Sequence, residues 1–125
     1  MEKDPEYLIA SIQKSITLSD IDSQESRKIM TDLMARHPNH AKVEWGMGQL
    51  EMEMQNPYEA VQHFKKAIEL NPRGFSSMKD LAYLYRMDSD TKIAITWYEK
   101  YIELNPFDKE IYNYLGLAYD DTDKK

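Results

Sequence analysis

The chain has 125 residues, 22 acidic and 16 basic side chains for a formal net charge of -6, no cysteine, and 42% hydrophobic residues. Zero cysteine excludes disulfide staples, thiolate metal sites and a cysteine nucleophile, and it fits a reducing compartment. The acidic balance argues against nucleic acid or an anionic membrane as the main partner, and no stretch reaches the roughly 18 apolar residues of a membrane span. The opening residues, MEKDPEY, lack the basic-then-apolar order of a signal peptide. The expectation is one cytoplasmic, all-helical domain over residues 1–125 without cofactor or metal.

Taken in chain order, the first segment is residues 7–40. It carries Met30, Leu33 and Pro38, and Asp22 followed by Glu25 reads as the capping box of a second helix. Residues 41–54 place Val43, Met47, Leu50 and Met54 at helical spacing. Asn56-Pro57 then breaks the chain. Asn56 is expected to cap the next helix, with Pro57 at its first position and Glu59 completing a capping box. Residues 57–70 carry Val61, Phe64 and Ile68, with Ala60 and Ala67 small enough to let two antiparallel helices approach. Asn71-Pro72 ends that helix, because proline disfavours a helical conformation in the residue before it. The scheme repeats as a helix over 75–87, a turn at Asp88-Ser89-Asp90, a helix over 91–104 and a stop at Asn105-Pro106. A last helix covers 109–119.

These segments share one period. Pro38, Pro72 and Pro106 are 34 residues apart, as are Ala60 and Ala94, Phe64 and Tyr98, and Gly48, Ala82 and Gly116. So many marks in register point to a helical solenoid. A closed bundle of seven amphipathic helices is the competing architecture.

On these residues the chain resembles the tetratricopeptide repeat family, built from 34-residue helix–turn–helix units. Residues 41–74 match its pattern with Gly48, Ala60, Phe64, Ala67 and Pro72. Residues 75–108 match with Leu81, Ala82, Tyr85, Ala94, Tyr98 and Pro106, but Tyr101 replaces a usual small residue, so that contact is expected to be looser or differently filled. Residues 109–121 look like a partial unit or capping helix, with Tyr112, Leu115, Gly116 and Tyr119 in place. Residues 7–40 look like a degenerate unit in which Lys14 and Ser26 replace small residues. The resemblance implies an all-α, right-handed α-solenoid of antiparallel helix pairs with about seven helices. It also implies repeat-packing roles for Gly48, Ala60, Phe64, Ala67, Ala82, Ala94, Tyr98 and Gly116.

Catalytic signals are absent from the sequence. His37 and His40 flank Pro38 in a turn, and His63 lies in a helix beside two lysines; none has a partner at metal-ligand spacing. The acidic end, with Asp120, Asp121 and Asp123, lacks the glycine and terminal glutamate of a calcium loop. No phosphate-binding glycine motif or nucleophile elbow occurs. The expectation is a non-enzyme.

The resemblance implies instead a concave trough for a peptide or helix, lined from the first helix of each unit. Its candidate partner-binding residues are Trp45, Gln49, Glu53, Lys79, Tyr83, Arg86, Asn113 and Tyr114. Leu8, Ile12 and Leu18 are expected to stack against the following unit or another chain. One family branch grips the C-terminal carboxylate of chaperone partners with lysine, arginine and asparagine. Neither frame here supplies that clamp: one offers Ser11, Ser15, Gly46, Ser76 and Asp80, the other Trp45, Gln49, Asp80, Glu110 and Tyr114. The main functional expectation is therefore a non-catalytic interaction module taking a protein or peptide. The alternatives are a self-assembling scaffold, with homo-oligomers formed through terminal helices, or an accessory domain of a larger enzyme. Since a first helix at 109–119 has no second helix after it, the array is expected to continue in a longer protein or to be covered by another copy.

Overall fold

The computed structural model describes residues 5–123, with side chains described from Tyr7 to Asp120. The described residues form seven helices: α1 Pro5–Leu18, α2 Ser23–Arg36, α3 Ala41–Glu53, α4 Pro57–Leu70, α5 Phe75–Met87, α6 Thr91–Leu104 and α7 Lys109–Asp123. Short turns join α1 to α2, α3 to α4 and α5 to α6, so each pair runs antiparallel. The chain divides into two compact units at Asn71/Pro72, the first holding α1–α4 and the second α5–α7.

Three helix starts have a local cause in the sequence. The Asp22 carboxylate accepts the Glu25 backbone N–H at 3.0 Å, one half of the expected capping box. His40 caps α3 by accepting the Lys42 N–H on Nδ1 at 3.2 Å. The cap expected from Asn56 is not made: its side chain bonds no helix N–H, and α4 starts on Pro57 alone. The turn expected at Asp88-Ser89-Asp90 is present. Gln55 and Ser89, one 34-residue step apart, both take a left-handed conformation with φ of 61° and 64°. This reverses the chain between paired helices, a job usually given to glycine.

In the first unit the core joins Leu8 and Ile12 of α1 to Met30 and Leu33 of α2 and Val43, Met47 and Leu50 of α3. Two glycines of α3 set the spacing. A Cβ on Gly48 would lie 2.5 Å from the Phe64 ring of α4, and one on Gly46 would lie 2.8 Å from Ile12 of α1. Gly46 is therefore a packing notch, not a trough position. In α1, exposed Lys14 stands at the small-residue position, and its neighbour Ser15 is the buried one. The Ser15 hydroxyl donates to the Ser26 carbonyl of α2 at 2.8 Å, so this first pair closes through a buried polar contact.

In the second unit the buried side chains are Met78, Leu81, Ala82 and Leu84 of α5, Ala94, Tyr98 and Tyr101 of α6, and Ile111, Leu115 and Ala118 of α7. Tyr101 fills the place of a small residue by pointing its hydroxyl outward. That hydroxyl donates to Asp108 Oδ2 at 2.5 Å, and the Phe75 ring meets its ring edge-on at 6.1 Å. The contact is differently filled rather than loose.

Candidate protein-binding site

The sequence-derived candidates fall into two groups, one in each unit. In α3, Trp45 is half-buried against the α1–α3 core, and the Lys42 ammonium sits 5.1 Å from its ring centroid. Gln49 is half-buried beside it and Glu53 is exposed at the helix end. Most of the Trp45 surface thus contributes to stability rather than to a free contact.

In the second unit the two candidate cations are held internally. Lys79 Nζ lies 3.7 Å from Asp108 Oδ2 and 3.8 Å from Glu110 Oε2, and 5.9 Å from the Tyr101 ring centroid. The Arg86 guanidinium stacks 4.9 Å over the Tyr114 ring, whose hydroxyl donates to Glu110 at 2.8 Å. Glu110 therefore ties both cation sites into one network across α5 and α7. The Tyr101 hydrogen bond, followed by Lys79, holds the Asp108 carboxyl below its ordinary range. Burial first, and the Asp108 carboxylate second, push the Tyr101 phenol up to about 12.

What remains open on α5 and α7 is largely apolar. Tyr83 and Met87, four residues apart on one face of α5, are exposed, as are Leu117 and Asn113 on α7. Exposed aromatic and methionine area is the kind that carries protein contacts.

The residues assigned to repeat packing also divide. Gly48, Ala60, Phe64, Ala67, Ala82, Ala94 and Tyr98 are buried between paired helices. Gly116 is not: it is exposed, and a Cβ built on it meets nothing within 4 Å.

Sequence reasoning missed the buried carboxylates of α3. Glu44, 1% exposed, shares a hydrogen bond of 2.8 Å between its Oε2 and His63 Nδ1 and has Lys66 Nζ at 3.9 Å. Glu51, 4% exposed, pairs with Arg27 of α2 at 2.5 Å. The 34-residue register held a signal for both. Glu44 stands where Met78 and Tyr112 stand, and Glu51 where Tyr85 and Tyr119 stand. A carboxylate at a core position requires a cationic partner nearby. Among the described residues no cluster of three or more histidine, aspartate or glutamate side chains could hold a metal ion, and no helix is long and apolar enough to cross a membrane.

Comparison with known proteins places this geometry. The tetratricopeptide repeat model matches residues 45–73, the helix pair built around Gly48 and Phe64. The chain is 31% identical over 91 residues to a Drosophila melanogaster protein named as a BBSome complex member, the BBS4 homolog. It spans 72% of the present chain but only 19% of that relative's length. Among solved structures, a crystal structure of MamA superposes with a TM-score of 0.78 at 22% identity, over 95% of this chain and 66% of that one. The first TPR domain of Spaghetti (RPAP3), bound to the HSP90 peptide SRMEEVD, gives 0.80 at 16% identity, over 94% and 96%. These neighbours share the all-α solenoid of antiparallel helix pairs. The glycine notch filled by an aromatic ring and the 34-residue period are thus parts of one pattern, and the chain carries a tetratricopeptide repeat at residues 45–73 within a TPR-like solenoid of helix pairs.

Proposed function

We propose that the chain is a scaffold element that assembles with protein chains, its own copies included, through apolar helix faces. The observation that carries this reading is the engagement of Lys79 and Arg86 within their own unit. A trough that gripped an acidic or C-terminal peptide would need those cations for its partner, and Asp80 beside them would repel a carboxylate. The surface left over is Tyr83, Met87 and Leu117, which suits a packed helix better than a charged tail. The fly relative, named as a member of a protein complex, supports the same reading.

A second reading keeps the trough as a peptide site using Trp45, Gln49, Glu53, Lys79, Tyr83, Arg86, Asn113 and Tyr114. The exposure of Tyr83 favours it, as does a solved neighbour that holds a peptide. Two measurements separate the readings. Sedimentation over a wide concentration range is expected to show self-association; a strict monomer overturns self-assembly. A pull-down comparing wild type with the Lys79→Glu, Tyr83→Ala variant is expected to recover the same partners from both. Selective loss of one partner by the variant supports the trough.

A further inference from the structure

Two contacts fix the register of α5 beside α7. Lys79 Nζ lies 3.8 Å from Glu110 Oε2, and the Arg86 guanidinium stacks 4.9 Å over the Tyr114 ring. Moving forward along α5 therefore moves forward along α7. On α5, Lys79, Tyr83 and Arg86 stand at i, i+4 and i+7; on α7, Glu110, Tyr114 and Leu117 do the same. These are two neighbouring helix stripes at one level. Met87 directly follows Arg86, and Leu117 lies one turn beyond Tyr114. Tyr83, Met87 and Leu117 are 40%, 57% and 52% exposed, although the other faces of α5 bury Met78, Leu81, Ala82 and Leu84.

The charge on this surface is uneven. Its two cations, Lys79 and Arg86, face Asp108, Glu110 and the Tyr114 ring of their own unit. Asp80 adjoins Lys79, Asp88 directly follows Met87, and Asp120 lies one turn past Leu117. The remaining described cations of the unit stand elsewhere: Arg73 in the turn before α5, Lys92 and Lys100 on α6, and Lys109 at the start of α7. Carboxylates are thus in the majority here, most plainly at the Met87 and Leu117 end. The C-terminal dipole of α5, which ends at Met87, adds negative potential at the same place. We infer that a helix of another protein docks on this surface. Its apolar stripe covers Tyr83, Met87 and Leu117, and lysine or arginine flanking that stripe lies beside Asp88 and Asp120. Apolar area supplies the affinity, and charge selects a cationic amphipathic helix over an acidic one.

Docking of this kind rests on the packing through apolar helix faces proposed above and names the partner's chemistry. The probes are three fluorescein-labelled, amidated peptides of about 18 residues, five turns of helix. All carry one leucine stripe at helical spacing, with lysine, glutamine or glutamate at every other position. Fluorescence anisotropy against the 125-residue chain, at roughly 0.15 M ionic strength to screen distant charge, reads binding. The lysine peptide is expected to bind about tenfold more tightly than the glutamine peptide, and the glutamate peptide more weakly than both. Met87→Ser with Leu117→Ser is expected to weaken the lysine peptide at least tenfold without lowering the melting temperature, because both side chains are more than half exposed. Asp88→Lys with Asp120→Lys is expected to abolish the preference for lysine over glutamine. Equal binding of the lysine and glutamine peptides by the wild type overturns the cationic partner and leaves an apolar helix face standing. Lysine-peptide binding that ignores the Met87 and Leu117 substitutions is attraction to the net charge of -6 alone and overturns the docking surface. Self-association of the chain that those substitutions abolish assigns the surface to a second copy and overturns a foreign helix. No binding of any peptide overturns the docking, while the sedimentation experiment above still decides self-assembly.

Discussion

The helix pairs α3/α4 and α5/α6 are two fillings of one 34-residue mould, and they solve its buried positions with different chemistry. In the first pair the core positions at Glu44 and Glu51 are carboxylates, the first hydrogen-bonded to His63 and the second paired with Arg27. One step later the same positions are Met78 and Tyr85. In the first pair Gly48 admits a phenylalanine ring and Ala67 stays small; in the second, Ala82 and Tyr98 are both buried, and the largely buried Tyr101 hydrogen-bonds Asp108. The repeat therefore dictates volume and spacing, while polarity is free to vary wherever a neighbouring helix can supply the matching group. The first pair depends on α2 for its balance of charge. The second depends on its own turn, through Asp108.

The sharpest test of that dependence is Arg27→Ala. It leaves the buried Glu51 carboxylate without its half-exposed cation, and losing a hydrogen bond to a charged group costs about 2 kcal/mol. Chemical denaturation is expected to show that loss, and Arg27→Ala combined with Glu51→Gln is expected to recover most of it. A loss below about 1 kcal/mol would place Glu51 in contact with water and remove the proposed dependence on α2.

The next effect distinguishes three positions one repeat apart. Gly48→Ala forces a Cβ to 2.5 Å from the Phe64 ring, an overpacking cost of about 2 kcal/mol. Gly116→Ala meets open space and removes a helix-interior glycine, a gain of about 0.5–1 kcal/mol. Ala82 already carries the side chain that Gly48 excludes. Opposite signs at 48 and 116 in thermal melts would show that the notch is set by its covering ring; equal signs would show that backbone propensity decides.

A gain of about 0.5–1 kcal/mol is also expected at both paired-helix turns, from Gln55→Gly and Ser89→Gly, because each native residue holds a left-handed conformation that glycine adopts without strain. Unequal gains would show that the surrounding turns differ despite their common φ.

How much of this was legible follows from what each feature depends on. The helices and their period were readable because prolines, alanines and apolar residues recur in register, and each reports a local or nearest-neighbour requirement. Helix α7 ran four residues past the expected 119, because nothing in the acidic run there stops a helix. The missing Asn56 cap and the left-handed Gln55 were not readable, since a single Pro57 start satisfies the helix and the turn strain is settled by packing. Ser15, rather than Lys14, became buried because the small hydroxyl finds the Ser26 carbonyl, a tertiary contact that spacing does not encode. The trough residues were the least legible. Lys79 and Arg86 look like free cations in sequence, and only the fold shows Asp108, Glu110 and Tyr114 waiting for them.

The smallest effects at neutral pH become visible when pH is moved, and the two regions should fail at opposite ends of the scale. In the second unit the phenols of Tyr98, Tyr101, Tyr114 and Tyr119 are all pushed up, by burial first except at Tyr114, where the Glu110 hydrogen bond leads. For Tyr101 the folded value is about 12, against roughly 10 in an unfolded chain. Between these values the unfolded chain loses its proton first, so this stability is fully present below about pH 10 and is lost as pH rises through the folded value. In the first unit His40 is lowered, by burial first, then by His37 and Lys42. Its neutral Nδ1 accepts the Lys42 N–H that caps α3. Here the unfolded chain binds the proton first, so the stability is present above the ordinary value of about 6.5 and is lost as pH falls through the folded value. Hydrogen exchange read helix by helix is expected to show α3 opening first on acidification and α6–α7 opening first above pH 10. Tyr101→Phe should flatten the alkaline limb, and His40→Asn, a cap that accepts at any pH in this range, should flatten the acid one. If both regions opened together at both extremes, the two units would share one cooperative transition, and the division at Asn71/Pro72 would have no energetic counterpart.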